Sequence, residues 1–392
     1  MQAYPFLRVF LCLICLVGFN ACYALDEDAS DSPAMGDSLR FSNLANTIEI
    51  PQIDPISYSV VASALGMAQS NPSDGNSQNL VDVSNAQLIL QKNSGLVQFY
   101  LQAGYYSIPS LGTSYQRSNR QTIDSFGLVP LAYISIPVGE NLKISAGKLN
   151  SFGGYESTFT FQNINIDRGL LWNQTSNVSK GVAATYAAGA VSAAFTLNDG
   201  FYSNQLNWMG ASASYQHSEQ SKTSLSWTGA IKSSTTESFI TPLAQNNSQI
   251  LNAIYSHKTD RWFFAPNLQY TFVPANPAIG ILSSAQTMGA ALLANYQFFD
   301  PELSGGKMSL PFRMEYISSN GKGNPNSPNL LYGVGSSAWS ATITPTYQFR
   351  QYFFRAEFSY VQAINTTAGL GFGQQGTANN QSRLMFETGI LY

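Results

Sequence analysis

The sequence predicts an all-β chain closed into a transmembrane antiparallel β-barrel of about sixteen strands, with fourteen to eighteen fitting the pattern. Three observations predict it. Only 10% of the 392 residues are charged while 13% are aromatic, against roughly 25% charged in ordinary soluble domains. Segments of about ten residues repeatedly alternate apolar with polar side chains, the period of a strand that faces lipid on one side and water on the other. Long connectors rich in Ser, Asn, Gly and Gln take turns with short ones, which a soluble β-sandwich does not require.

The chain opens on MQAYPFLR, one cation ahead of the apolar run VFLCLICLVGF, and then Cys22-Tyr23-Ala24. These are the n-region, h-region and small-residue cleavage site of a secretory leader over 1–24. A retained transmembrane helix is disfavoured because the run is too short to span a bilayer comfortably. Phe19-Asn20-Ala21-Cys22 is a poor lipid-attachment box because of Asn20. Cys12, Cys15 and Cys22 all lie in the leader, so no disulfide framework is expected after its removal. Loss of Arg8 leaves 18 cations against 22 acids, about −4 with His neutral, which excludes nucleic acid as an expected partner. The acidic stretch DEDASDSPAMGDS opens a segment over 25–56, expected to be periplasmic and disordered, with a small plug or periplasmic arm as the sharper alternative.

The barrel is expected over 57–392. Its strands are expected at about 57–67, 84–91, 96–107, 127–136, 142–149, 179–186, 191–199 and 207–217. They continue at 222–232, 248–258, 261–273, 286–298, 308–318, 338–349, 353–363 and 382–392. In Gly95–Tyr106, Val97, Phe99, Leu101 and Tyr105 oppose Gln98, Tyr100 and Gln102. KNSG, PVGEN, AAGA and RQY are the short turns; 69–83, 108–126, 150–178 and 319–337 are long loops. An even strand count puts both chain ends on the turn side, and the strand ending in Tyr392 has to close against the first so that no open edge faces lipid.

The stretch AGKLNSFGGYES (146–157) carries Gly147, Lys148, Gly154 and Glu156. NINIDRGLLWNQ (163–174) carries Asn165, Arg168, Leu170, Leu171, Trp172 and Asn173, and NDGF (198–201) follows. With NAQLILQKNSG (85–95), these stretches resemble the OmpL-like β-barrel porin family of Gram-negative outer membranes. Asp199 splits the family's Asn-Gly pair, and Tyr155 stands where smaller residues are common. The resemblance implies a porin-like channel without naming the solute. It also implies that the last strand with Tyr392 is read by the barrel-assembly machinery, and that loop 150–178, the third long loop, folds inward and narrows the lumen. Glu156, Asp167 and Arg168 would then lie at the constriction, either setting a transverse field or pinning the loop to the wall.

Strand alternation turns Arg313 and Glu315, Arg355 and Glu357, and Arg383 and Glu387 toward the lumen, with Phe312, Phe354, Phe358 and Phe386 toward lipid. Charges facing lipid at mid-depth would cost roughly 2–4 kcal/mol for a cation. A salt-bridge ladder that stiffens the wall is the expected role of these six, with ion attraction the alternative. Trp208, Trp262, Trp339 and Tyr352 are candidates for interfacial girdles. His217 and His257, the only histidines, fall beside expected periplasmic turns, the wrong end for an outer-membrane hydrolase, and no metal, cofactor or nucleophile motif is visible. Neither an enzyme nor a cofactor is expected. The expected function is passive diffusion of small hydrophilic solutes or ions, with outer-membrane lipid as surroundings and homo-oligomerisation undecided. The alternative is a surface-exposed adhesin or binding protein anchored by a barrel. A hydrophobic transporter would want an apolar lumen.

Overall fold

The computed structural model describes residues 35–41, 46–51, 53–152, 154–298 and 306–392. The expected leader and the start of the acidic segment lie outside them. The strands are β1 (Asn46–Ile50), β2 (Ile53–Gln69), β3 (Asn79–Lys92), β4 (Gln98–Tyr106), β5 (Leu131–Val138), β6 (Leu142–Asn150), β7 (Val178–Ala188), β8 (Val191–Asn198) and β9 (Trp208–Ser218). They continue as β10 (Ser221–Ala230), β11 (Gln249–Lys258), β12 (Trp262–Val273), β13 (Ala285–Gln297), β14 (Gly306–Ser319), β15 (Ser337–Ile343), β16 (Thr346–Phe349), β17 (Tyr352–Ile364) and β18 (Asn380–Leu391).

From β2 onward each strand pairs antiparallel with the next, except β15 and β16, which do not pair with each other. β18 closes on β2 with Leu391 opposite Val61 and Phe386 opposite Gly66. β15 and β16 both pair with β14 and β17. They are one strand interrupted at Thr344-Pro345, because proline has no N–H to give the ladder. Counted so, with β1 a short hairpin partner of β2 outside the ring, the barrel has sixteen strands. Expected strand ends are met to within five residues. Among the described residues no helix is long and apolar enough to cross a membrane.

The two ends differ as expected. Turns such as 139–141, 189–190, 219–220 and 350–351 close one end, whereas loops 107–130, 151–177, 231–248 and 320–336 leave the other. Loop 107–130 carries a short helix, Ser118–Asp124. Outward positions are apolar and exposed, including Leu268, Met314, Phe354, Phe358 and Phe386. Trp262 packs against Tyr296 at a 4.6 Å centroid distance with the rings tilted by 48° and, like Tyr352, faces outward near the turn end. Trp339 lies against Tyr360. Trp208 departs from the girdle expectation: it is buried against Phe201, and its indole N–H donates to Asn246 O at 2.8 Å.

The inside is not uniform. On β12–β18 the inward side chains are buried and partly apolar, among them Phe263, Ala265, Leu293, Ile317 and Val361. They pack with Ile164, Leu170 and Leu171 of loop 151–177 in one core cluster. On β7–β11 the inward Thr185, Ser192, Ser214, Ser224 and Ser256 are only half-buried. One wall is therefore covered by loop, and the opposite wall is open over its periplasmic half, its outer half being closed at Thr196, Asn198, Trp208, Thr228 and Ile250.

Residues 35–41 and 46–50 depart from the disorder expected of their segment. Asn46–Ile50 is a strand, and 35–41 forms a strap inside the turn end of the barrel. Leu39 is fully buried in a cluster with Phe161, Phe353 and Leu391. Gly36 sits at φ +62°, where a Cβ would meet the Phe263 ring at 2.6 Å, so glycine is required both by backbone and by space.

Candidate functional site

Loop 151–177 is held to the covered wall by charge as well as by apolar packing. Arg313 on β14 donates from Nη1 to Glu156 Oε1 at 2.5 Å and to Asp167 O at 2.7 Å. Its Nε lies 3.3 Å from Glu315. Arg383 on β18 donates from Nη1 to Asp167 Oδ1 at 3.1 Å and reaches Ser110 O and Thr113 O of loop 107–130 at 2.7 and 2.5 Å. Arg355 on β17 pairs with Glu387 and donates to Asn163 O and Thr160 O at 3.0 and 3.1 Å.

The wall glutamates do the converse and accept from loop backbone. Glu315 takes the N–H groups of Leu170 and Leu171 at 2.9 and 3.2 Å. Glu357 takes those of Ile166 and Asp167 at 2.5 and 3.0 Å. Two successive N–H groups aimed at one carboxylate form an anion-binding concavity, here filled by the protein itself. Glu156 closes the loop by accepting Gly169 N–H at 2.8 Å. A Cβ on Gly169 would run into the carboxylates of Glu315 and Glu156, so only glycine fits between them. Arg168 has no carboxylate within ion-pair distance; its Nη2 donates to Ile166 O at 2.7 Å, and its backbone N–H to Pro109 O at 2.9 Å.

All nine charged residues singled out in the sequence thus gather where loop and wall meet, seven of them in ion pairs, with Glu357 on loop N–H groups and Arg168 on carbonyl oxygens. Eight are 0–3% exposed, and the Glu156 side chain is 7% exposed. Burial raises the Glu156 carboxyl above its ordinary value, with the Arg313 guanidinium pulling the other way. The charged atoms face one another, which is the geometry of a clamp. Separated from water, each charge depends on its partner, because a buried charge left alone costs several kcal/mol.

The strap carries charges that sequence reading missed. Asp37 lies 2.5 Å from Lys258 and 2.9 Å from Arg40, and its backbone oxygen accepts from Lys307. Arg40 N–H donates to Gln348 Oε1 at 2.9 Å, Asn295 donates to Gly36 O at 2.9 Å, and Ser38 Oγ reaches Asn163 O at 3.3 Å. Phe41 meets Phe161 edge-on at 6.0 Å. Strap and loop therefore touch each other from opposite ends of the lumen. The histidines play no part: His217 and His257 lie among Tyr215, Tyr255 and Phe264 near the turns.

A sixteen-stranded barrel with a lipid-facing apolar band, a polar open wall and a loop folded into the lumen is an outer-membrane porin. The family described as "Putative beta-barrel porin-2, OmpL-like" matches residues 59–392, and the chain belongs to it. Its place is the bacterial outer membrane, so the turn end is periplasmic. Among solved structures the barrel is similar to an anion-selective porin from Comamonas acidovorans, at a TM-score of 0.59 and 10% identity over 86% of this chain and 99% of that one. The channel DcaP of Acinetobacter baumannii gives 0.57 at 11% identity over 89% and 100%. OmpF of Salmonella typhi, in complex with daunomycin, gives 0.55 at 12% over 88% and 100%. At such identities the likeness shows the fold. No curated protein matches the sequence.

Proposed function

We propose that this porin passes small hydrophilic solutes or ions by passive diffusion along the wall formed by β6–β11, with loop 151–177 and the strap narrowing the lumen from the other side. One observation carries the reading: inward residues are buried on β12–β18, where the loop docks, whereas in the periplasmic half of β7–β11 the inward Thr185, Ser192, Ser214, Ser224 and Ser256 are half-buried. Glu156, Asp167 and Arg168, with Arg313, Glu315, Arg355, Glu357, Arg383 and Glu387, act as the clamp that fixes the loop and so set the bore indirectly. The same reading leaves no catalytic role for the chain. OmpT of Vibrio cholerae, similar at a TM-score of 0.52 and 8% identity, is described in a trimer form, and a homo-oligomer is part of the proposal. Folding of the last strand through the barrel-assembly machinery belongs to it too.

The test is single-channel conductance in a planar bilayer, with the full chain and with residues 157–171 replaced by a short Gly/Ser linker. Stable steps that grow in the shortened protein are expected. Steps of equal size would move the constriction away from the loop. Folded protein without steps would sink the channel and favour the surface-binding alternative.

A further inference from the structure

Strands β4–β11 contain no aspartate or glutamate anywhere along their length. They do contain Lys143, Lys222 and Lys258 on the inward face, each at the periplasmic end of its strand. Lys143 pairs with Thr185 in register, two residues from Ser145, whose hydroxyl bonds Ser135 inside the barrel. Lys222 stands between Gln216 and Ser256 on the neighbouring strands. Lys307 on β14 joins them at the same end. Four inward lysines thus ring the periplasmic mouth.

They divide into two pairs. Lys258 and Lys307 hold the strap through Asp37. Lys143 and Lys222 have no carboxylate within ion-pair distance among the described residues, and both are accessible. Lys143 borders a cavity of about 230 Å³ along the open wall, lined also by Gln91, Tyr100, Tyr133, Ser145 and Thr185.

We infer that the channel prefers small anions, a conclusion that rests on the porin reading. The clamp contains one more carboxylate than arginine, but those charges are buried and all except Arg168 and Glu357 are in ion pairs, so their field in the open path is largely cancelled. The unpaired lysines act on solute directly, in a narrow lumen whose low-dielectric walls focus the field. Glu140, Glu219 and Asp260 are exposed in the turns below the rim, where salt screens them over about 8 Å at physiological ionic strength. A solute entering the open path meets cations and neutral hydroxyls.

The measurement is the reversal potential of the full chain in a potassium chloride gradient. Its sign is expected to be that of chloride preference, and to weaken in K143Q/K222Q and reverse in K143E/K222E. K232E, in an extracellular loop, should leave it close to the unsubstituted value. Steps with a potassium-directed or zero potential in the unsubstituted protein would overturn the inference and keep the porin. So would a potential unmoved by both double substitutions, whose folding is checked by heat-modifiable mobility. Folded protein without steps would overturn both readings.

Discussion

Arg313 neutralises more than any other side chain in the lumen, since Glu156, Glu315 and the backbone of Asp167 all converge on it. Removing it leaves two buried carboxylates without a cation, a change that typically costs about 3–5 kcal/mol. R313A should therefore undock the loop, seen as protease cleavage within 151–177 and as larger, noisier steps. E357Q should be milder, because the amide oxygen still accepts one of the two loop N–H bonds and no cation is orphaned. Equal sensitivity of the two variants would count against a clamp that works by charge. Arg313 was legible in sequence as an inward charge, from alternation alone. That Glu156, named there from the family resemblance, is its partner was not, because Glu156 lies on a loop and loops carry no period.

At the scale of elements, the strap is the feature whose response to conditions can be stated. Burial alone would raise the Asp37 carboxyl, but Lys258, then Arg40 and Lys307, outweigh it and hold the carboxyl below its ordinary value. A carboxyl depressed in the folded state contributes stability that is complete above the ordinary carboxylate range. That stability is lost as pH falls through the lower folded value. Strap release, read as larger conductance, is thus expected in strong acid, and D37N should show it at neutral pH. Unaltered steps in D37N would mean that Leu39 and the backbone bonds hold the strap unaided. The composition of 25–56 suggested a solvated tail, yet MGDSLRF within it is less acidic than its neighbours and supplies Leu39 and Phe41 to bury. The periodic elements were readable to within a few residues. Trp208 was misplaced because a strand's first residue can turn in under a loop, and the break at Pro345 was hidden inside one alternating run.

Over the whole molecule, the lipid-facing band is the part that sequence specifies best, and its energetics are the simplest to test. Phe386 is outward near the middle of β18 and 45% exposed. F386R should lower the stability of the barrel in vesicles by about 2–4 kcal/mol, whereas the native Arg383 and Arg355 on the same closing strands are tolerated because they point into the clamp. A neutral result by urea titration would place Phe386 at the interface. The lysine ring illustrates the limit of sequence reading at this scale. Lys143, Lys222, Lys258 and Lys307 lie far apart along the chain, and only the register of the closed sheet brings them to one height.

The clamp also has a meaning in time. Asp167 and Arg383 are 216 positions apart, and Glu156 and Arg313 are 157 apart. A chain emerging amino end first makes the loop long before the arginines that complete it. Until β14, β17 and β18 have joined the ring, the loop's carboxylates and bare N–H groups have only water to satisfy them. Docking of the loop is therefore a report that the circle has closed, and a barrel stalled short of its last strand would stand open and unclamped, recognisable as unfinished.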